Sequence, residues 1–203
     1  MATWLTHLRV AEKVSDQLNI TDRSLFFAGS IAPDTDMLSD ISHWCTNADK
    51  TTCDAQGFYI KYISDILYTE DKDFYWGYYI HLLTDILWHK QKIAPLKHES
   101  KDIIKAIKQK WRNVDISFLA DCRDFKPLME IEYAMKYTNK YNKFWLDYYI
   151  TGQVKKLVEG IFSNLIISEI GEQSKDAATE AEIEQFIDEC VEYIGKKLKE
   201  GAK

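Results

Sequence analysis

Apolar residues recur at spacings of three and four through most of this chain, with little of the Val/Thr alternation that marks strands and only three prolines. The spacing predicts helices at about Trp4–Leu18, Asp22–Ser30, Gln56–Tyr68, Asp73–Ile93, Ser100–Arg112, Phe125–Tyr141, Gly152–Ile170 and Thr179–Glu200. The expected class is all-α, a multi-helix bundle in one domain over residues 1–203. The last helix is the plainest. Ile183, Phe186, Ile187, Cys190, Val191, Ile194 and Leu198 make one apolar stripe, and Lys196, Lys197 and Lys199 sit at the end that the helix dipole favours for cations. The second helix should stop near Ala32, because the residue before Pro33 is pushed out of the helical region, leaving Asp34 at a sharp exit. From Asp34 to Asp54 the chain is polar and turn-like and reads as a long loop carrying His43. Gly171–Ala178 is the one short linker, and no internal repeat appears.

The same periodicity puts polar groups where water should not reach. His7 falls on the apolar face of the first helix with Ala11, Val14 and Leu18. Positions 81, 85 and 89 advance by roughly 40° per step, so His81, Asp85 and His89 share a helix face. The run Phe74–Trp88 around them is rich in aromatics and Leu, and would bury them. An unpaired buried carboxylate is costly, so a cation is expected beside Asp85. Imidazole and carboxylate donors suit zinc, with manganese or iron as further options. The plainer reading keeps His7 as a satisfied core histidine and His81 with Asp85 as an i,i+4 hydrogen-bonded pair.

A length of 203 residues is ample for one core, and the net charge of −6 argues against a broad nucleic-acid surface. Seven aspartates (16, 22, 34, 36, 40, 49 and 54) crowd the first sixty residues, which suits a cation site; Asp36 and Asp40 read as loop or turn carboxylates. His7, Arg9, Glu12, Lys13 and Asp16 interrupt any secretory apolar core, so a cytoplasmic protein is expected, and no stretch is long and apolar enough to span a bilayer. Cys45 and Cys53 could pair or join a metal, but their spacing is no familiar zinc motif and thiols are the better reading. Trp44, Trp76, Tyr78 and Trp88 could line a pocket or belong to the core. The cluster Tyr133, Tyr137, Tyr141, Trp145, Tyr148 and Tyr149 reads equally as core, pocket or dimer surface.

The ordered set Thr6-His7, Gly29-Ser-Ile-Ala-Pro-Asp34, Ser42-His43 and His81-x3-Asp85 resembles the zinc-dependent phospholipase C family over about residues 1–100. The resemblance implies an all-helical fold shared with the P1/S1 nucleases. It makes His7, Asp34, His43, His81 and Asp85 metal ligands, with Asp85 able to bridge two ions and Asp34 the candidate base. The family's next histidine stands six residues after the helical aspartate, so His89, four after Asp85, matches it approximately; His98 and Glu99 are candidates for a later ligand, although His98 reads as solvated surface. The secreted members begin on a tryptophan that binds metal through its amino group. Here Met1-Ala2-Thr3 precede Trp4, so one or two zinc ions are expected rather than three. The implied activity is hydrolysis of a phosphoester, a phosphodiester above all, by a metal-activated water. The substrate would be a phosphorylated small molecule, lipid-like or a nucleotide. The alternative is a non-catalytic helical metal-binding or interaction module that keeps the ligands.

Overall fold

The structure is a computed structural model that describes residues 1–35, 39–47, 52–64, 71–122, 124–143, 145–168 and 177–201. Asp36, Asp49 and most of the expected linker Gly171–Ala178 lie outside the described residues. The described chain is all-α: α1 Trp4–Ser15, α2 Arg23–Ile31, α3 Ser39–Ser42, α4 Ala55–Tyr59, α5 Lys72–Trp88, α6 Lys101–Asp121, α7 Lys126–Tyr137, α8 Gln153–Ser168 and α9 Ala177–Gly201. Side chains set several starts. Thr3 accepts from the Thr6 amide, Asp22 from Leu25, Asp54 from Gly57 and Ser100 from Ile103, each filling an N-terminal donor of its helix.

Several boundaries differ from the periodic reading. The expected loop 34–54 contains a 3-10 turn at Ala32–Asp34 and the short α3, which ends at the residue before His43. α5 stops at Trp88 and passes into a π turn (His89–Ile93) and a 3-10 turn (Ala94–Leu96), because Pro95 has no amide to continue the ladder. α6 runs past Arg112 to Asp121, since Val114 and Asp115 extend the buried face begun by Trp111, and Phe118 packs on the core below them. α7 ends at Tyr137, where Thr138 turns extended and its hydroxyl donates to the Ala134 carbonyl at 2.6 Å.

α5 is the central helix, apolar on nearly every side and packed against α1, α2, α4 and α9. Phe74, Tyr78, Ile80, Leu82 and Trp88 are fully buried in it. Two glycines let α2 and α5 touch backbone to backbone. A Cβ on Gly77 would lie 1.9 Å from the Phe26 carbonyl oxygen, and one on Gly29 would lie 2.0 Å from that of Phe74. Asp73, buried at the start of α5, accepts from the amides of Thr21 (2.9 Å) and Asp22 (2.6 Å) and so fixes the entry of α2.

The aromatic cluster of the second half divides. Tyr133 and Tyr137 are exposed, whereas Tyr141, Trp145 and Tyr149 are buried and Tyr148 half-buried. The buried ones grip the first half through its backbone. Tyr141 donates to the Ser24 carbonyl (3.0 Å), Tyr149 to that of Ala32, and Gln153 to the Thr35 hydroxyl (3.2 Å). Trp44 donates to the Tyr148 hydroxyl (2.9 Å), Tyr148 to Tyr78 (2.9 Å), and Tyr78 to the Ser42 carbonyl. Tyr78 and Trp88 are therefore core; Trp44 and Trp76 are partly buried against it. Among the described residues no helix is long and apolar enough to cross a membrane.

Candidate metal centre

Five of the six side chains singled out in the sequence converge. His7 comes from the inward face of α1, Asp34 from the 3-10 turn that Pro33 starts, His43 from the exit of α3, and His81 and Asp85 from one face of α5. Asp85 sits among three imidazoles. Its Oδ1 is 3.5 Å from His7 Nε2, and its Oδ2 is 3.4 Å from His81 Nε2 and 3.6 Å from His43 Nε2. Asp34 Oδ1 is 3.4 Å from His43 Nε2. The rings of His7 and His81 stack at 3.6 Å. Two triads, His7-Asp34-His81 and His43-His81-Asp85, each place their donor atoms within 4.8 Å of one another.

Backbone carbonyls set two of the ring orientations. His81 Nδ1 lies 2.8 Å from the Ser30 oxygen and His43 Nδ1 lies 2.8 Å from the Ser39 oxygen. A carbonyl only accepts, so each Nδ1 carries the hydrogen and each Nε2 turns a lone pair inward. Those inward atoms have no hydrogen-bond partner: His43 Nε2, His81 Nε2, both nitrogens of His7 and Asp85 Oδ2 are buried and unsatisfied. Buried polar atoms are normally paired, and this concentration of bare lone pairs fits a cation.

The electrostatics agree. Burial pushes the Asp85 carboxyl upward, but the neighbouring His7 and His81 outweigh it and hold Asp85 well below the usual carboxylate range. Asp34 is likewise held down, against its burial, by the neighbouring imidazoles, that of His43 first and then those of His81 and His7. Burial and the charge of His7 push His81 down to about 4, which keeps it neutral and able to donate a lone pair. His43 is raised, because the carboxylates of Asp34 and Asp85 overcome its burial.

Over the cluster opens a cavity of about 410 Å³ whose wall includes His43, Asp85, His89, Cys45, Cys53 and Lys108. The chain matches the family profile for zinc-dependent phospholipase C over residues 6–164. It belongs to the zinc-dependent phospholipase C family. No curated protein and no solved structure matches it. In this family member the likeness runs well past residue 100, into the segment that supplies Tyr141, Tyr148, Tyr149 and Gln153. The donor set of imidazoles and carboxylates suits the zinc that the family implies.

His89 stands apart from the converging five. It lies one turn beyond Asp85, where α5 gives way to the π turn, and it is half-buried on the cavity wall, outside both triads. Two four-residue steps of the helix drift around its axis, so sharing a face does not bring the third residue to the same point. Asp34 has the reverse placement, in the cluster but off the cavity wall. His98 and Glu99 are exposed. Near the N-terminus it is the backbone amide of Ala2, not Trp4, that reaches the cluster, donating to Asp85 Oδ1 at 2.8 Å. Four contributors carried no sequence signal: the Ser39 carbonyl, one turn before His43, and the Ser30 carbonyl, the Ala2 amide and Lys108, which tertiary packing brings in.

Trp44, directly after His43, has a left-handed backbone (φ 52°), unusual for a bulky residue. Its indole hydrogen bond to Tyr148 and edge contacts with Phe58 and Tyr62 hold that conformation and with it the exit of His43.

The pKa directions predict the acid behaviour of the protein freed of metal by a chelator. Below 6.5 an unfolded histidine takes up a proton that folded His81 refuses until about 4, so folding weakens as pH falls through that window. Asp34 and Asp85, held down in the folded state, stabilise it above the ordinary carboxylate range and lose that contribution as pH falls through their lowered values. His43 acts oppositely: its contribution is full below 6.5 and is lost as pH rises through its raised value. Asp115, pushed up to about 7 by burial, favours the folded state as pH falls and so opposes His81. The His81 contribution is therefore read as a difference: in chelator, the change in thermal midpoint on going from about pH 7 to about pH 4.5 should be more favourable in His81→Gln than in the wild type. The same pH dependence in both proteins would mean that His81 is not held neutral as described.

Proposed function

We propose that His7, Asp34, His43, His81 and Asp85 hold one or two zinc ions and that the protein hydrolyses a phosphoester, a phosphodiester above all, with water as the nucleophile. The observation that carries this reading is the cluster of unpartnered buried polar atoms, two of whose residues, His43 and Asp85, line an open cavity. A structural zinc would be closed off by its ligands, whereas a hydrolytic one keeps a face open to substrate. When bound, zinc supplies Lewis-acid polarisation of the phosphoryl oxygen and a lowered pKa for attacking water.

The chain's own groups divide the remaining work. Asp85, shared by three imidazoles, bridges and orients the ligand set. Asp34 is the more exposed of the two carboxylates, stays ionised, and accepts the proton of the attacking water at a carboxylate oxygen. His89 faces the cavity and exchanges a proton with the leaving oxygen. Lys108 offers an ammonium to a non-bridging phosphoryl oxygen. A second cavity of about 500 Å³, walled by Trp4, Trp111, Ile116, Leu119 and Ile161, meets the first at Lys108 and takes an apolar substituent, which favours the lipid-like substrate that the family suggests.

The direct test is hydrolysis of p-nitrophenyl phosphorylcholine, bis-p-nitrophenyl phosphate and p-nitrophenyl phosphate by zinc-loaded protein, with chelation and zinc restoration. Failure to cleave all three with a verified zinc content would defeat the reading. Two variants refine it. His89→Ala should keep its zinc while turnover falls about 100-fold, the scale of a lost general acid; loss of zinc would instead make His89 a ligand. Lys108→Met should raise KM for a phosphodiester about tenfold, one ion-pair's worth of binding, with Lys105→Met, exposed on the same helix and lining neither cavity, unchanged.

A further inference from the structure

Cys45 and Cys53 face one another across an isolated antiparallel bridge. The flanking hydrogen bonds run from the Thr46 amide to the Thr52 carbonyl (3.1 Å) and from the Asp54 amide to the Trp44 carbonyl (2.9 Å). This pattern makes the two cysteines a non-hydrogen-bonded pair, in which side chains leave the same face and Cα atoms are about 4.5 Å apart. That separation falls inside the range of about 4.4–6.8 Å that a disulfide requires. Register is fixed on both sides of the pair. The Cys45 amide donates to the Asp40 carbonyl (2.8 Å), the Thr52 amide to Asn47 Oδ1 (3.3 Å), and the hydroxyls of Thr46 and Thr52 bond to each other. Both cysteines are half-buried thiols on the wall of the cavity that opens over the metal centre, so a small reagent in that cavity reaches them.

We propose that Cys45 and Cys53 form a thiol–disulfide site at the mouth of the metal cavity, oxidised by a low-molecular-weight disulfide such as glutathione disulfide. The sulfur of one cysteine, as thiolate, attacks a sulfur of the small disulfide, breaking its S–S bond and releasing one small thiol. The sulfur of the other cysteine then attacks the protein-side sulfur of the mixed disulfide, forming the Cys45–Cys53 bond and releasing the second small thiol. The two cysteines lose two electrons and two protons, and the small disulfide gains both. The new bond ties the backbone directly after His43 and Trp44 to the start of α4, so the exit of α3 is stiffened. This inference concerns the thiols alone and stands whether or not the centre hydrolyses phosphoesters.

The test treats the zinc-loaded protein with excess glutathione disulfide, removes the reagent, alkylates with N-ethylmaleimide and maps peptides by mass. Exposed Cys122 serves as the internal control for reagent access. The expected product is a peptide pair joined at Cys45 and Cys53, lighter by two hydrogens and carrying no maleimide, and the joined form should slow exchange of the Thr46 and Asp54 amides, which flank the pair, about tenfold. In Cys45→Ser the expected product is a persistent glutathione adduct on Cys53. Maleimide on both cysteines of the wild type, or stable glutathione adducts on both, would overturn the proposal. The wild-type map decides the matter by itself if the serine variant does not fold.

Discussion

Asp85→Ala is expected to strip the protein of zinc and to lower phosphodiester hydrolysis by about 10³-fold or more, the scale of losing a principal electrostatic group. Asp85 lies within 3.6 Å of imidazole nitrogens from α1, α5 and the exit of α3, and it also accepts the Ala2 amide. Its removal leaves that buried amide unpaired, a cost of about 1–3 kcal/mol. It also takes the negative charge away from His43, whose raised pKa depends partly on it. Asp85→Asn separates the two effects. The amide side chain preserves shape and can still accept from Ala2, but it brings no charge, so the asparagine variant should fold near wild type and still lose metal. Elemental analysis beside circular dichroism reads both quantities. Full zinc retention in Asp85→Asn would mean that the carboxylate is not a shared ligand, and the unsatisfied atoms around it would need another explanation.

Gly77→Ala should destabilise the protein by more than about 3 kcal/mol, enough to leave much of it unfolded at 37 °C. The obstacle is backbone, not a side chain that can swing aside. The new methyl would sit 1.9 Å from the Phe26 carbonyl oxygen and 2.9 Å from the Ser30 amide nitrogen, so α2 and α5 must separate. Separation also moves the Ser30 carbonyl away from His81 Nδ1 and releases the tautomer that turns Nε2 inward. A chemical-denaturation midpoint close to wild type would show that the two helices can slide without loss, and that the close crossing is incidental. Gly160→Ala on α8, where a Cβ meets nothing within 4 Å, is the matched control and should stabilise slightly through helix propensity.

The helical class and four of the five converging residues were legible because each signal was local. His7 follows from the apolar face of α1, His81 and Asp85 from a four-residue step on a helix greasy on every side, and Asp34 from the proline that ends α2. His43 was legible only as part of an ordered set, since the α3 turn before it is four residues long and too short for a periodic signal. His89 falls outside both triads for a physical reason: a helix face is a stripe with a drift, and the π turn after Trp88 alters the step. The π turn itself, the Ala2 contact and the split of the tyrosine cluster into exposed and buried halves depend on which helices meet, and no window of the chain encodes that.

The relay from Trp44 through Tyr148 and Tyr78 to the Ser42 carbonyl changes what counts as the smallest working unit. All five converging donors lie within the first 85 residues, yet the backbone that aims His43 and Asp34 is held from residues 148, 149 and 153. A fragment ending after α5 would carry every donor atom and no jig to hold them. Transplanting the histidines and aspartates onto another helical scaffold would fail for the same reason. The inheritable object is the frame of hydroxyls and carbonyls, and this gives a physical reason for the family likeness to extend to residue 164, far beyond Asp85, the last of the five converging donors.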